Sequence, residues 1–573
     1  MSIIKFKEAN CKNCYKCIRS CPVKAISFKN EQAQIIDEQC ILCGQCLLVC
    51  PQNAKSVRSD IDEVKKYIEK KEKVYVSLAP SFASAFHVSD CRKVFSALKL
   101  LGFTHVEETS IGAARVSKQY EKIINEGNME NIITTACPTT VLLIEKYYPE
   151  LIPQIAPVVS PMIAHAKMMR AVYGSRIKVV FIGPCISKKD ECNDLQNDGM
   201  VNAIITFDEL NKWLESEGID LDALEPEEPK GISNALARFY PAPGGIIRTL
   251  GKEERKTYKC VSVDGVDRCM DILDSIKNKE VSNYFIEMNA CPGGCLGGPC
   301  LKSVRNGYLE AKDKLVEYVR KNLKESSPAV VEDVNVKLRK VFVDKSRSDT
   351  PPTEEAIRGI LSKIGKFDES MELNCGACGY STCREKAIAV YYNKAELHMC
   401  LPYMRERAES ISNLIIEATP NAIVALNKNL SIQEVNLAAQ QMFDLNKQDV
   451  IGKHVYTMFD CADFEYVSES GQNIIGKKHY YEKYDITVEQ SIIYAQDQQI
   501  IIAIMNDITK EEKQQHQIYK VRSETVDIAQ KVIEKQMRVA QEIASLLGET
   551  TAETKIALTK LKKSILSDIG EEQ

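Results

Sequence analysis

Between Lys73 and Asn322, short runs of β-branched and aromatic residues alternate with longer stretches at helical spacing. Val74–Leu78, Ile132–Thr135, Val179–Ile182 and Tyr284–Met288 read as strands, and Ser89–Leu101 and Thr140–Tyr148 as helices. The alternation predicts an α/β unit. Each strand runs directly into an unusual sequence: Ala79-Pro80-Ser81, Ala136-Cys137-Pro138, Gly183-Pro184-Cys185 and Asn289-Ala290-Cys291. Ligands of open parallel sheets collect beyond the carboxyl ends of the strands, so the four segments are expected to converge. Glu325–Pro352 contains SSP and DTPP, lacks periodicity outside Leu338–Val343, and reads as a connector. Ile411–Ile508 opens on a helix-to-strand unit and closes on an apolar strand. After Thr509 the chain is charged and helical through Lys563. Ile518, Thr525, Val532, Val539 and Leu546 recur every seven residues, the stripe of a coiled coil or of a helix folded back on the preceding domain.

Composition narrows the function classes. The 573 residues suffice for about four domains of ~150 residues. A net charge of −4 with 27% charged residues gives no reason to expect a nucleic-acid partner. No apolar run approaches the ~18 residues of a membrane span. The start, MSIIKFKEANCKNC, has no apolar signal core, so a cytoplasmic protein is expected. In a reducing compartment, 22 cysteines argue for metal or redox chemistry over disulfides.

Sixteen of those cysteines fall into sets of eight, four and four. Cys11, Cys14, Cys17 and Cys21-Pro22 repeat, 29 residues on, as Cys40, Cys43, Cys46 and Cys50-Pro51. In this C-x2-C-x2-C-x3-C-P pattern three thiolates wrap one 4Fe-4S cube and the fourth comes from the other repeat. Cys11, Cys14, Cys17 and Cys50 are expected to hold one cluster, and Cys40, Cys43, Cys46 and Cys21 the other, with zinc as the alternative. The segment resembles a bacterial two-cluster ferredoxin.

In the central region Cys291-Pro292-Gly293-Gly294-Cys295 lets the backbone fold tightly around a bulky inorganic group, because glycine tolerates positive φ and has no Cβ. With Cys137 and Cys185 it would make a four-thiol cage. Three motifs carry a resemblance to the catalytic domain of FeFe hydrogenases: T-T-A-C-P (Thr134–Pro138), P-C-x-x-K-x-x-E (Pro184–Glu191) and E-x-x-A-C-x-G-G-C-x-G-G (Glu287–Gly298). The resemblance implies an H-cluster: a 4Fe-4S cube on Cys137, Cys185, Cys291 and Cys295, bridged through Cys295 to a two-iron unit with CO, cyanide and azadithiolate. It implies that Lys188 bonds one cyanide, that Pro80-Ser81 lines the other, and that Glu191 lies on a proton path. The bland reading of Lys188 and Glu191 is an i, i+3 surface ion pair. A domain that holds the cube without hydrogen chemistry is the corresponding alternative for the whole region.

One departure stands out. The family's proton-relaying cysteine is Ala136 here, and a methyl group carries no proton. Loss of a positioned acid–base group costs ~10²–10⁴-fold in rate, roughly 3–5 kcal/mol of barrier. Gly183 and Asn289 stand where the family has methionines near the cluster. Slow turnover is expected unless water, Cys192 or Cys300 provides a detour.

Cys375, Cys378 and Cys383, with Cys400 beyond a helical stretch Arg384–Leu397, resemble the single 4Fe-4S domain of corrinoid iron–sulfur proteins and RnfB-type carriers, zinc again being the alternative. Such a cluster would give electrons a second way out, toward the C-terminus. The strands of 411–508, with the closing D-I-T, resemble a PAS domain of unknown ligand; His454 and His479 read better as ordinary polar residues than as haem ligands.

The expected fold is thus multidomain α/β and α+β: a two-cluster ferredoxin domain (1–58), an H-cluster domain (72–325), a linker (326–352), a single 4Fe-4S domain (353–408), a PAS domain (409–509) and a C-terminal helix, a candidate dimer coiled coil (510–573). The cofactors are three 4Fe-4S clusters and the H-cluster. The reading favoured is a sensory, PAS-containing FeFe hydrogenase acting on H2 and protons, with ferredoxin or another redox protein and a kinase or phosphatase as partners, and a homodimer through its PAS domain and C-terminal helix. An ordinary ferredoxin-linked hydrogenase and a non-catalytic iron–sulfur redox regulator are the alternatives.

Overall fold

The computed structural model describes residues 2–7, 10–197, 199–227, 235–301, 307–321, 334–347, 350–547, 556–557 and 559–560. The chain divides into two compact units at Tyr403/Met404.

The first unit begins with the cysteine repeat, and the backbone repeats with it. Left-handed residues Asn13, Tyr15 and Lys24 recur at Leu42, Gly44 and Asn53. Short helices, Lys16–Arg19 and Gln45–Leu48, follow at equivalent places. Strand Ile4–Phe6 pairs antiparallel with Lys55–Val57 and closes the segment on itself.

The central α/β region contains two parallel sheets. One has the order His105–Glu108, Val74–Leu78, Lys178–Gly183, Ala203–Thr206; the other has Lys259–Asp264, Tyr284–Asn289, Ile132–Ile133. The four expected strands are all present, divided two and two between the sheets. The helix expected over Ser89–Leu101 is shorter, Lys93–Leu100, and the one expected over Thr140–Tyr148 starts two residues earlier, as Pro138–Tyr147. Helices Ser110–Glu126 and Pro161–Tyr173 approach so closely that a Cβ on Gly112 would run into the Pro161 carbonyl.

The four-stranded sheet packs in a core that includes Val76, Phe82, Val180 and Ile205, which Ile132 and Phe285 of the other sheet also enter. The three-stranded sheet shares its core with both cysteine-rich ends of the unit. Ile286 and Met288 belong to one apolar cluster with Ile18 and Phe28 from the N-terminus and Tyr380 and Met399 from the third cysteine set.

The connector reading fails for residues 334–347; residues 326–333 and 348–349 of that segment lie outside the described residues. Burial alternates from Val334 to Phe342, placing Leu338 and Lys340 inward. Leu338 O accepts a bond from Val159 N (2.8 Å), Lys345 N donates to Glu145 O (2.8 Å), and Lys340 pairs with Asp194 (2.8 Å). Of the short apolar run, Leu338 faces inward, whereas Val341 and Val343 are exposed. The expected helix Arg384–Leu397 also breaks: it spans Cys383–Tyr391, and the chain turns through left-handed Asn393 before a 3-10 turn at Leu397–Met399.

The second unit is built on a five-stranded antiparallel sheet in the order Ile432–Val435, Ala422–Asn427, Ile500–Asp507, Ile486–Ala495, Ile474–Tyr481. One face packs with Phe443 and Phe464 over Val424, Val488 and Met505. Helix Thr509–Leu547 follows. Of its heptad stripe, Ile518, Val532 and Val539 are each more than 40% exposed, so these three are not buried against their own domain. Residues 548–555, 558 and 561–573 of the expected C-terminal helix lie outside the described residues.

Candidate functional site

The two sheets deliver four cysteines to one place. Cys137 ends the loop after strand Ile132–Ile133 and precedes a helix that has Pro138 in its first turn, where the missing N–H costs nothing. Cys185 follows strand Lys178–Gly183, and Cys291 and Cys295 follow Tyr284–Asn289. Each thiol lies in the electrostatic field of the others. Burial, then the charges of Cys185 and Cys137, push the Cys291 thiol far up, and the same causes push Cys295 up to about 12. Cys185 is raised by burial and by Cys137. Four such thiols are held together as thiolates only by positive charge in their midst, which is what an iron–sulfur core provides.

Glycine is required in the Cys291–Cys295 loop because the walls are backbone. Gly293 and Gly294 have φ of 80° and 68°, and a Cβ on Gly294 would meet the Pro241 carbonyl, while one on Gly297 would meet that of Pro292. The Pro241 segment is fixed by a residue that the motif contains but whose role spacing alone does not show. Buried Glu287 accepts bonds from the N–H groups of Gly244 (2.8 Å), Ile246 (3.0 Å) and Ile247 (3.1 Å).

Lys188 and Glu191 are not a surface pair. Nζ of Lys188 is 2.7 Å from Glu191 Oε2 and 3.3 Å from the Ala136 carbonyl, with side-chain exposures of 8% and 6%. The ammonium also favours the thiolate form of Cys185 and Cys295. Ser81 is fully buried in the 3-10 turn Pro80–Ser84, and its hydroxyl has no hydrogen-bond partner. An orphan donor there fits an absent anionic acceptor such as cyanide. Ser187, which the sequence reading passed over, lies with its Oγ 3.0 Å from Cys185 Sγ and accepts from Thr139 Oγ1 at 3.0 Å.

At the departures from the family pattern, the space is taken. A Cβ on Gly183 would stand 2.6 Å from the Phe181 ring, so that ring closes the wall. Asn289 is buried with its amide 3.4 Å from Glu287. The two candidate thiols for a detour are both buried enough to stay protonated. Cys192 donates to the Val201 carbonyl (3.2 Å) and burial pushes it up to about 11; burial likewise raises Cys300.

The N-terminal cysteines lie close to one another. Cys21 acts electrostatically on Cys40, Cys43 and Cys46, while Cys11 and Cys14 act on Cys17. Cys21 and Cys50 accept equivalent bonds from Ala25 and Ala54 (3.3 and 3.4 Å). Gly44, between Cys43 and Cys46, presses on Pro299 and Ile186, and Cys43 acts on Cys291. The third set surrounds a small cavity lined by Cys375, Cys378, Cys383, Cys400 and Lys386. Among the described residues, no three or more His, Cys, Asp or Glu side chains stand close enough for a single metal ion. In the PAS-like unit, His454 Nδ1 accepts from Tyr456 N (3.3 Å) and its ring is tilted against that of Tyr456, while the His479 ring is tilted against that of Tyr481.

Comparison with known proteins agrees with these groupings. Residues 72–299 match the iron-only hydrogenase large subunit, C-terminal domain; 3–51 match a 4Fe-4S dicluster domain; 372–402 match an Fe-S cluster family; and 413–508 match the PAS fold. The chain is 27% identical over 379 residues to iron hydrogenase 1 of Clostridium pasteurianum, covering 53% of this chain and 66%, just under two thirds, of that protein. It is 28% identical to the periplasmic Fe hydrogenase large subunit of Nitratidesulfovibrio vulgaris, over 56% of this chain and 92% of that one. It is also 22% identical to cytosolic iron-sulfur assembly component 3 of Mus musculus, over 53% of this chain and 80% of that one. The chain therefore joins an iron-only hydrogenase large-subunit domain to a 4Fe-4S dicluster domain, a further Fe-S segment and a PAS fold.

Proposed function

We propose that the chain is an FeFe hydrogenase of sensory type. It would interconvert H2 with protons and electrons slowly, and pass its redox state through 4Fe-4S clusters to the PAS module. The observation that carries this reading is the convergence of Cys137, Cys185, Cys291 and Cys295 with buried Lys188 and the partnerless hydroxyl of Ser81. A bound H-cluster supplies the bond-breaking and bond-making at hydrogen. The chain's own residues supply the rest. Lys188 places a positive charge against the site and is held there by Glu191 and the Ala136 carbonyl. Ser81 offers a hydroxyl donor in a dry wall, and Ser187 lies against the sulfur of Cys185. Such outer contacts orient and tune a metal group.

Ala136 offers no proton to this site, and Glu191 is the acidic side chain joined most directly to it through Lys188. It also lines a cleft of about 510 Å³ with Asp190, Asp194 and strap residue Lys340. Protons would reach the site by this cleft. Slow turnover together with a PAS domain favours detection over bulk hydrogen metabolism, with a kinase or phosphatase reading the state and the exposed stripe of helix Thr509–Leu547 pairing two chains. Among the described residues, no helix is long and apolar enough to cross a membrane.

The similarity to an iron-sulfur assembly component favours a second reading, in which the chain holds cubes without hydrogen chemistry. Infrared spectra of the matured protein, with and without hydrogen, decide between them. CO and cyanide stretching bands that shift under hydrogen are expected; their absence would leave the non-catalytic reading.

A further inference from the structure

The third cysteine set is placed where a second, independent exit from the catalytic site would not be. Its loop is seated on the first N-terminal repeat. Arg19 donates to the carbonyls of Gly376 and Ala377 (both 3.3 Å), and Lys24 Nζ to that of Gly379 (3.2 Å). Phe28 N donates to Lys394 O (2.8 Å), and Asn30 N to Glu396 Oε1 (3.0 Å). A Cβ on Gly379 would come within 3.1 Å of Ile18.

The contacts form a succession. Gly44, beside Cys43, abuts Pro299 just past the Cys291–Cys295 loop, where a Cβ would stand 2.6 Å away. Cys17 and Cys21 of the first repeat and Cys46 of the second are buried in one apolar cluster. Tyr380 belongs to that cluster too, and it lines one cavity with Cys21 and another with Cys375, Cys378, Cys383 and Cys400. Tyr380 is 3% exposed and its hydroxyl has no partner, an orphan donor at the junction of two cysteine sets.

Two lysines are buried in the wall of the third set. Lys386 is 1% exposed and donates to the Leu397 carbonyl (3.0 Å); Lys366 is 5% exposed and donates to that of Met371 (2.6 Å). Both line the cavity around Cys375, Cys378, Cys383 and Cys400. At the catalytic set the buried ammonium of Lys188 is neutralised by Glu191, whereas the bonds of Lys386 and Lys366 go to neutral carbonyls. Two ammoniums in a low-dielectric wall favour whichever state of the cluster is more negative.

We propose that the Cys375/Cys378/Cys383/Cys400 set is the terminus of one serial relay running from the catalytic cysteines through the N-terminal sets, and that Lys386 makes it the place where an electron comes to rest. The proposal rests on the hydrogenase reading for the electron's source: hydrogen oxidised to two protons releases two electrons, one for each of two cluster sites along the relay. It also replaces the sequence-based expectation of a second exit.

The test uses full-length protein reconstituted with iron and sulfide, reduced stepwise and followed by electron paramagnetic resonance. The fully reduced protein is expected to show signals split by spin coupling between the third and N-terminal sets. Cys383→Ser, which leaves the Gly379 docking loop intact, is expected to remove the third signal and the splitting together. Lys386→Met is expected to shift the oxidised-to-reduced balance of the third set at least tenfold toward oxidised at fixed potential, about 59 mV for one electron, and Lys386→Arg to restore it. Unsplit signals in wild type carrying its full iron would overturn the serial order. An unmoved balance in Lys386→Met would overturn the resting place. Infrared bands of CO and cyanide report on the catalytic set alone, so their absence would sink the hydrogenase reading and leave the coupling result standing.

Discussion

Cys137, Cys185, Cys291 and Cys295 come from the ends of strands in two different sheets, whereas Cys375, Cys378, Cys383 and Cys400 come from one loop, one helix and the turn after it. Assembly from distant segments surrounds the first set with backbone and pairs its lysine with a carboxylate. Assembly from one short segment leaves Cys375 exposed and the set dependent on the N-terminal repeat as its outer wall. The first arrangement suits chemistry that must exclude water. The second suits exchange of electrons with neighbours.

The largest effect that tests this contrast is loss of a ligand. Cys295→Ala is expected to abolish hydrogen turnover and the CO and cyanide bands, while the paramagnetic signals of the other three sets persist. Loss of all signals together would show that the sets do not form independently, and the contrast would fall.

Next in size is Ala136→Cys. A thiol restored beside the carbonyl that Lys188 engages should raise hydrogen evolution from a reduced dye by ~10²-fold, within the ~10²–10⁴ range of a positioned acid–base group. An unchanged rate would move the limit to the Phe181 and Asn289 walls.

These two substitutions rest on residues that the sequence displayed openly. Cysteine spacing marked the N-terminal repeat and the third set because ligand geometry there is local, and the repeat recurs even in backbone φ, at Asn13 and Leu42, Tyr15 and Gly44, Lys24 and Asn53. The four strand ends were legible from the alternation of apolar runs. Their division between two sheets was not, because parallel pairing is a long-range choice that no run of residues encodes. The strap was missed for a related reason. Its two inward residues, Leu338 and Lys340, are one apolar and one charged, and only Asp194 across the groove makes the lysine an inward residue. Glu287 and Ser187 stood inside the quoted motifs, but their partners, Gly244, Ile246 and Thr139, are distant in sequence. Docking of the third set on the N-terminus left no local signal, since its bonds run to backbone carbonyls that any residue could provide.

Stability separates the two sites at an intermediate scale. Glu191→Ala strips the only described carboxylate from a lysine whose side chain is 8% exposed, and should destabilise the fold by about 3–5 kcal/mol in denaturant titration. Glu354→Ala, beside the third set, removes a pair to Arg384 whose side chains are 56% and 46% exposed and screened by solvent, and should leave the denaturation midpoint nearly unmoved. Equal costs would mean that the strap's cleft admits enough water to screen Lys188.

The smallest effects come from the two orphan hydroxyls, and they are the most discriminating. Ser81 Oγ and Tyr380 OH are buried with no partner in the protein. Deleting a partnered buried hydroxyl costs stability, but deleting an unsatisfied one removes a desolvation penalty. In cluster-free protein Ser81→Ala and Tyr380→Phe should therefore leave stability unchanged or raise it by up to about 1 kcal/mol. In the loaded protein the signs part. Ser81→Ala should shift one cyanide stretching band and leave the third set's paramagnetic signal alone, because its turn, Pro80–Ser84, packs against the turn Gly294–Gly297 that carries Cys295. Tyr380→Phe should do the reverse, altering the coupling between the third set and the N-terminal sets without moving an infrared band. If both substitutions destabilise the cluster-free fold, the hydroxyls have protein partners and neither was waiting for a metal group.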